Sequence, residues 1–217
     1  HNHNDVGQVV IANNGVPLIL DVGTEAYRKE SFTDKSYEFW YKRGSGHNAP
    51  VIEGCEQQRG KAHKATEVRP VREAERYGIR MELKDIYEDA VPVQSVVREV
   101  VIDPEADGTA RVLVTDTVKS ILDSFTGELF LYAPEVHPSE NGWLIGSGNH
   151  RVELRVDAEG EIRVSADQWK VGHDPRMRAA YGRSLNRLAI RFGFIEDEGS
   201  YTLIFTPVDG RGRKGGD

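Results

Sequence analysis

The chain has 217 residues, with 28 Lys+Arg against 35 Asp+Glu for a net charge of −7, 38% hydrophobic residues and one Cys. No apolar run approaches the roughly 18 residues a membrane-crossing helix needs, and Cys55 alone cannot close an internal disulfide, so neither a membrane protein nor a disulfide scaffold is expected. The acidic balance disfavours non-specific nucleic-acid binding, which relies on a basic surface to neutralise phosphates.

In chain order, the first predicted element is the polar opening His1-Asn-His-Asn-Asp5, and the second a pair of apolar runs, Val9–Ala12 and Val16–Leu20, split by Asn13-Asn14-Gly15. Arg43-Gly-Ser-Gly-His47-Asn48 then enters the apolar Ala49–Ile52. Period-two alternation follows in Tyr77, Ile79, Met81 and Leu83; in Val96–Ile102; and in Ala110, Val112 and Val114. Arg151–Asp157 and Glu161–Asp167 alternate on either side of Ala158-Glu-Gly160, which predicts a β-hairpin. A helix is predicted from Pro175 to Asn186, and strands again at Leu188–Phe192 and Tyr201–Phe205. Turn signals at short intervals, without long amphipathic helices between them, give an all-β fold of stacked antiparallel sheets. One domain is expected over residues 1–208, with 209–217 a disordered tail. The chain opens on His1 without an initiator Met and reads as a fragment of something longer.

Candidate chemistry is concentrated near the start. Two imidazoles, His3 and His47, and the carboxylate Asp21 at the end of an apolar strand make a plausible zinc set with one position left for water or ligand. A straight hairpin about Asn14-Gly15 would put Asp21 opposite Gln8, with His3 roughly 16 Å farther along, so closing the triad requires the chain to fold back near Gly7. Two stretches are locally basic: 41–76 holds eight Lys/Arg against five Glu, and 170–191 holds six against one Asp. They either line a groove for an acidic polymer or form solvated strand faces. The HExxH, GxSxG, GxGxxG and P-loop patterns are absent from the sequence.

Taken together, His1-Asn-His-Asn-Asp5, Leu18-Ile-Leu-Asp21-Val-Gly-Thr24 and Tyr41-Lys-Arg-Gly-Ser-Gly-His47-Asn48 resemble, in order and spacing, the C-terminal β-sandwich domain of heparinase II/III-like polysaccharide lyases. The resemblance implies an antiparallel sandwich of roughly a dozen strands, whose active site lies in a cleft shared with an N-terminal α/α toroid that is missing here. It implies Zn²⁺ held by His3, Asp21 and His47, and it matches His1 to the sandwich imidazole that reaches the cleft. Tyr37 and Tyr41 both match the region of a sandwich Tyr used by alginate-cleaving members, while Arg43 and Trp40 are expected to meet substrate. The implied partner is an acidic, uronate-containing polysaccharide, and the implied location is the periplasm or the exterior. The implied reaction is β-elimination, with the isolated segment inactive. The alternative is a non-catalytic carbohydrate-binding or scaffold sandwich that keeps a metal for stability.

Overall fold

The computed structural model describes residues 3–87 and 91–208. The expected tail 209–217 and His1 lie outside the described residues. In chain order the strands are β1 (Ile11–Asn13), β2 (Val16–Ile19), β3 (Val51–Ile52), β4 (Thr66–Glu73), β5 (Arg76–Glu82), β6 (Val93–Pro104), β7 (Ala110–Ser120), β8 (Phe125–Ala133), β9 (Glu135–Ser139), β10 (Gly142–Ser147), β11 (His150–Ala158), β12 (Glu161–Lys170), β13 (Ser184–Phe194) and β14 (Glu198–Val208). One α-helix, α1 (Pro175–Tyr181), lies between β12 and β13, and residues 29–46 form a series of short 3₁₀ turns. The fold is the expected all-β sandwich. Eight strands in the order β4-β5-β6-β7-β14-β11-β10-β9 face four in the order β12-β13-β8-β3, with every pairing antiparallel.

The main core fills the space between the sheets. The alternating strands supply it: Val114 and Val118 from β7, Val152 and Leu154 from β11, Leu188, Ile190 and Phe192 from β13, and Tyr201, Leu203 and Phe205 from β14. A second apolar cluster lies on the outer face of the small sheet, where Phe130, Tyr132, Leu185 and Ala189 are covered by Val22, Tyr41, Val171 and Met177. Trp40 and Trp169 pack against this cluster. β8 is therefore buried on both faces, and its continuous Leu129–Ala133 run follows from that position.

Two local expectations are corrected. The predicted 151–167 hairpin is a crossover between sheets, because β11 pairs with β10 and β14 while β12 pairs with β13. Their apolar sides still meet, but across the core rather than side by side. Gly160 permits the tight passage, since a Cβ there would come within 2.5 Å of both the Gly193 carbonyl and the Phe194 ring. The helix begins as predicted, with the Asp174 carboxylate accepting from the Arg176 and Met177 amides and Pro175 in the first turn. It stops at Tyr181, because Gly182 takes φ +71° and the chain turns into β13.

Candidate functional site

The opening segment reaches the site by the fold-back that closing the triad requires. Asn14 and Gly15 take φ values of +50° and +78° and close the β1–β2 turn. Ahead of β1, Gly7 takes φ +81° and the Gln8 amide donates to the Asp5 carbonyl at 3.0 Å, so residues 3–6 leave the direction of β1.

Side chains then hold this segment as a neighbouring strand would. The Val6 amide donates to Gln57 Oε1 at 3.1 Å and Gln57 Nε2 donates to the Val6 carbonyl at 2.7 Å. The Val9 amide donates to Asn48 Oδ1 at 2.9 Å, and Asn48 Nδ2 returns to the Val9 carbonyl at 2.8 Å. Two primary amides thus each reproduce the paired donor and acceptor of a ladder position. The Asn4 amide also donates to the Lys42 carbonyl at 2.8 Å.

Arg98 locks the arrangement from below. It is fully buried on β6 and forms a fork with the Asp116 carboxylate of β7, Nε to Oδ1 and Nη2 to Oδ2, both at 2.7 Å. Its Nη1 donates to the Gly7 carbonyl at 2.8 Å and to the Asn48 carbonyl at 2.9 Å. One guanidinium therefore fixes the turn that carries His3 and the residue that follows His47. Tyr201 completes the cluster by donating to Asp116 Oδ2 at 2.6 Å. Burial, reinforced by the Asp116 charge, pushes the Tyr201 phenol well above its ordinary value, so it remains a donor.

The Gly-Ser-Gly-His loop delivers the second imidazole. Gly46 passes so near Trp40 that a Cβ would lie 2.5 Å from the Trp40 carbonyl, which only glycine tolerates. Asp21 is set by the end of β8, where the Leu20 amide donates to the Tyr132 carbonyl at 2.9 Å, and by α1, where the Tyr181 hydroxyl donates to the Asp21 and Val22 carbonyls at 3.3 and 3.2 Å.

His3, His47 and Asp21 consequently converge from three separate stretches. His3 Nδ1 lies 2.9 Å from His47 Nε2, with ring centroids 4.9 Å apart. Asp21 Oδ1 lies 3.7 Å from His47 Nδ1 and also accepts from the Gly23 amide at 2.9 Å. The His47 ring is fully buried, and its Nδ1 makes no hydrogen bond. Burial lowers the pKa of both imidazoles. For His47 it outweighs Asp21, Asp5 and the nearby Tyr41 carbonyl, and for His3 the charge of His47 acts in the same direction. Both rings are accordingly neutral near pH 7, the form that ligates a metal.

The donor set fits a divalent metal in kind: two neutral imidazoles, a carboxylate and a buried ring nitrogen without a partner. As they stand the three groups form a row rather than a cage, since His47 presents opposite nitrogens to its two neighbours. Among the described residues no three His, Cys, Asp or Glu side chains already surround one point.

Beside the row opens a cleft of about 350 Å³, lined by His3, Asn4, Asp5, Tyr37, Gln57 and His63 among others. Tyr37 is half-exposed there, whereas Tyr41 is 1% exposed, lying edge-on to His3 with centroids 6.1 Å apart. Arg43 is exposed and paired with Glu56, which also accepts from the Ser45 amide and hydroxyl. Trp40 is part-buried between Tyr132 and Trp169, each with centroids 5.7 Å from its own. The basic stretch 170–191 lines no part of this cleft. Its Arg187 is forked to Asp167 on the small sheet, and Arg191 faces Glu128.

Sequence reasoning missed Arg98, Asp116 and Gln57. A signal existed for the first two. Arg98 falls in phase with Val96, Val100 and Ile102, and Asp116 with Val112, Val114 and Val118, so both charges interrupt an inward-facing apolar series.

The fold is that of a domain in solved heparinase III and heparan sulfate lyase structures. A heparinase III structure superposes with a TM-score of 0.69 at 16% identity, covering 99% of this chain and 31% of that one. The heparan sulfate lyase HepC from Pedobacter heparinus gives 0.69 at 15% identity, covering 100% and 34%. A second heparinase III gives 0.68 at 17% identity, covering 95% and 31%. The chain spans about a third of the length of these structures, and at such identities the shared property is the fold. No family model and no curated protein sequence matches the chain. Among the described residues no helix is long and apolar enough to cross a membrane.

Proposed function

We propose that this chain is the C-terminal β-sandwich domain of a periplasmic or secreted polysaccharide lyase acting on uronate-containing acidic glycans by β-elimination. The observation that carries the reading is the meeting of His3, Asp21 and His47 at the edge of an open cleft, on the fold of heparinase III. In such an elimination a base removes the proton on the carbon beside the uronate carboxylate, charge collects on that carboxylate, and an acid protonates the departing glycosidic oxygen. Tyr37, open to the cleft, and His1 are the proton-transfer groups this chain brings. Tyr41, sealed beneath His3, positions that imidazole instead. His3, Asp21 and His47 would hold Zn²⁺, which when bound supplies fixed geometry between the opening segment and the Gly-His-Asn loop. The chain's coverage of only about a third of each lyase supports a toroid, supplied elsewhere, that contributes the rest of the active site.

Two measurements test this reading. Zinc should raise the melting temperature and a chelator lower it; at a hundredfold excess over Kd the stabilisation is about 2.7 kcal/mol. The chain alone should release no ultraviolet-absorbing unsaturated product from heparan sulfate or alginate, and product formation by it would contradict the half-site reading. Burial of Tyr41 and pairing of Arg43 favour the second reading, a non-catalytic carbohydrate-binding or scaffold module. That reading requires zinc stabilisation without any gain of lyase activity when a toroid domain is added.

A further inference from the structure

The edge of a sheet is a row of unpaired N–H and C=O groups, and among the described residues the two facing sheets end on β4, β9, β3 and β12. Three of these edges are blunted. β4 carries Pro70 and a bulge between Thr66 and Arg69, where Glu67 takes φ +46°. β9 is five residues long and carries Pro138. β3 is two residues long and runs into the turn that brings Cys55 back to Ile52. β12 has none of these devices. Its ten residues contain no Pro or Gly, and they pair with β13 in unbroken register from Glu161 to Lys170. Among the described residues no other strand pairs with β12, and Ser165, Ala166, Asp167 and Gln168 in its middle are all exposed.

Which groups this edge offers follows from the register. The Val171 amide donates to the Arg183 carbonyl at 3.3 Å, one step beyond the pairing of Lys170 with Ser184. Opposed residues of an antiparallel pair are hydrogen-bonded in alternation, so the odd-numbered residues of β12 turn their main chain to β13. Ile162, Val164, Ala166 and Gln168 therefore turn theirs outward. Side chains alternate as well: Arg163, Ser165 and Asp167 share the outer face, while Ile162 and Val164 pack on the rim of the core. The only defence left to this edge is charge, and charge selects a partner. With Ser165 set opposite Ser165 of a second antiparallel copy, Arg163 faces Asp167 on both sides of the axis and Val164 faces Ala166. Moving the axis to Val164 would set Glu161 against Asp167, and moving it to Ala166 would leave Arg163 opposite Trp169. Both charges are within reach, the Arg163 side chain being 81% exposed and that of Asp167 48%.

We propose that the β12 edge pairs antiparallel with β12 of a second copy of this chain, about an axis through Ser165, so that two four-stranded sheets become one continuous sheet. Val164 and Ala166 exchange both main-chain bonds across the axis, as do Ile162 and Gln168, and the Arg163 and Asp167 charges close the outer face. Asp167 keeps its fork to Arg187, because a carboxylate accepts at more positions than that fork uses. A single ladder covers less than a standard interface, so the dimer is weak and reversible, with a Kd on the order of 100 µM. The pairing rests on sheet geometry and is independent of the lyase reading.

The test is sedimentation equilibrium of the whole chain from about 10 µM to about 1 mM, with amide exchange followed at both ends of that range. The mass should rise from one chain toward two. The Val164 and Ala166 amides should exchange fast in the dilute sample and become protected severalfold in the concentrated one, while those of Ser165 and Asp167, bonded to β13, stay protected throughout. Ala166→Pro removes an outward amide and no bond to β13, so this variant should stay folded and monomeric. Arg163→Glu changes only an exposed side chain and should weaken dimerisation about tenfold. The wild-type exchange pattern and Arg163→Glu decide the matter even if the proline variant does not fold. A single-chain mass at about 1 mM, a dimer that Ala166→Pro or Arg163→Glu leaves intact, or protection gained on association at β4 or β9 and not at β12 overturns the proposal.

Discussion

Two polar clusters lie within one turn of chain of each other, and they are built to different standards. In the Arg98–Asp116–Tyr201 cluster every buried group has a partner inside the chain, with five contacts between 2.6 and 2.9 Å counting both carbonyls that Arg98 holds and the phenol. In the His3–His47–Asp21 row two imidazoles face each other, a carboxylate stands 3.7 Å away, and a fully buried ring nitrogen has no partner. A completed buried network rigidifies what surrounds it, and an incomplete one carries a desolvation cost that only a ligand or a function accounts for. The contrast marks the first as framework and the second as the candidate site. Arg98 joins them by holding the Gly7 and Asn48 carbonyls.

If that division is right, the largest effect comes from breaking the complete cluster. Arg98→Met leaves the Asp116 carboxylate buried and unpaired and should cost about 3–5 kcal/mol in urea unfolding. The double variant Arg98→Met with Asp116→Leu should recover most of that loss, because it removes the stranded charge along with its partner. A double variant no more stable than the single would show that the carbonyl contacts, rather than the ion pair, dominate.

The next effect sharpens the boundary between the clusters. Gln57→Leu removes both bonds to Val6 and should cost about 1–3 kcal/mol, with faster hydrogen exchange at the Val6 amide and little change at β13. Uniformly faster exchange would mean that the opening segment is part of the framework and not a separately held strap.

The alternating strands were legible because a half-buried strand writes its exposure into the sequence at every second residue. β8 was not, since burial on both faces erases the alternation at Leu129–Ala133. The 151–167 pair was misread because a short link between two alternating runs looks alike whether the strands pair or cross to opposite sheets. The fold-back at Gly7 was legible only as the condition that closing the His3–Asp21–His47 triad imposes. Gln57 was not, because an amide acting as a strand exists only once distant segments meet. Arg98 and Asp116 stood in plain view as charges in an apolar phase.

The smallest expected effect lies far from both clusters and serves as a control on the comparison. The Asp103 carboxyl is held down to about 2 chiefly by its hydrogen bonds to Arg76, against an ordinary value of 3.8, with Arg111 adding to the effect. A depressed folded-state value means stability that is present above pH 4 and lost as pH falls toward 2. The melting temperature of the native chain should fall across that window slightly more steeply than that of Asp103→Asn, and equal slopes would show that this surface cluster contributes nothing measurable.

The central claim is tested most directly by anomalous diffraction at the zinc edge from crystals of the zinc-loaded chain. The account predicts one strong peak roughly 2.0–2.2 Å from donor atoms of His3, Asp21 and His47, with the His47 ring turned to share one ion with its neighbours. No peak there, or a peak held by other side chains while these three keep their row, would contradict it.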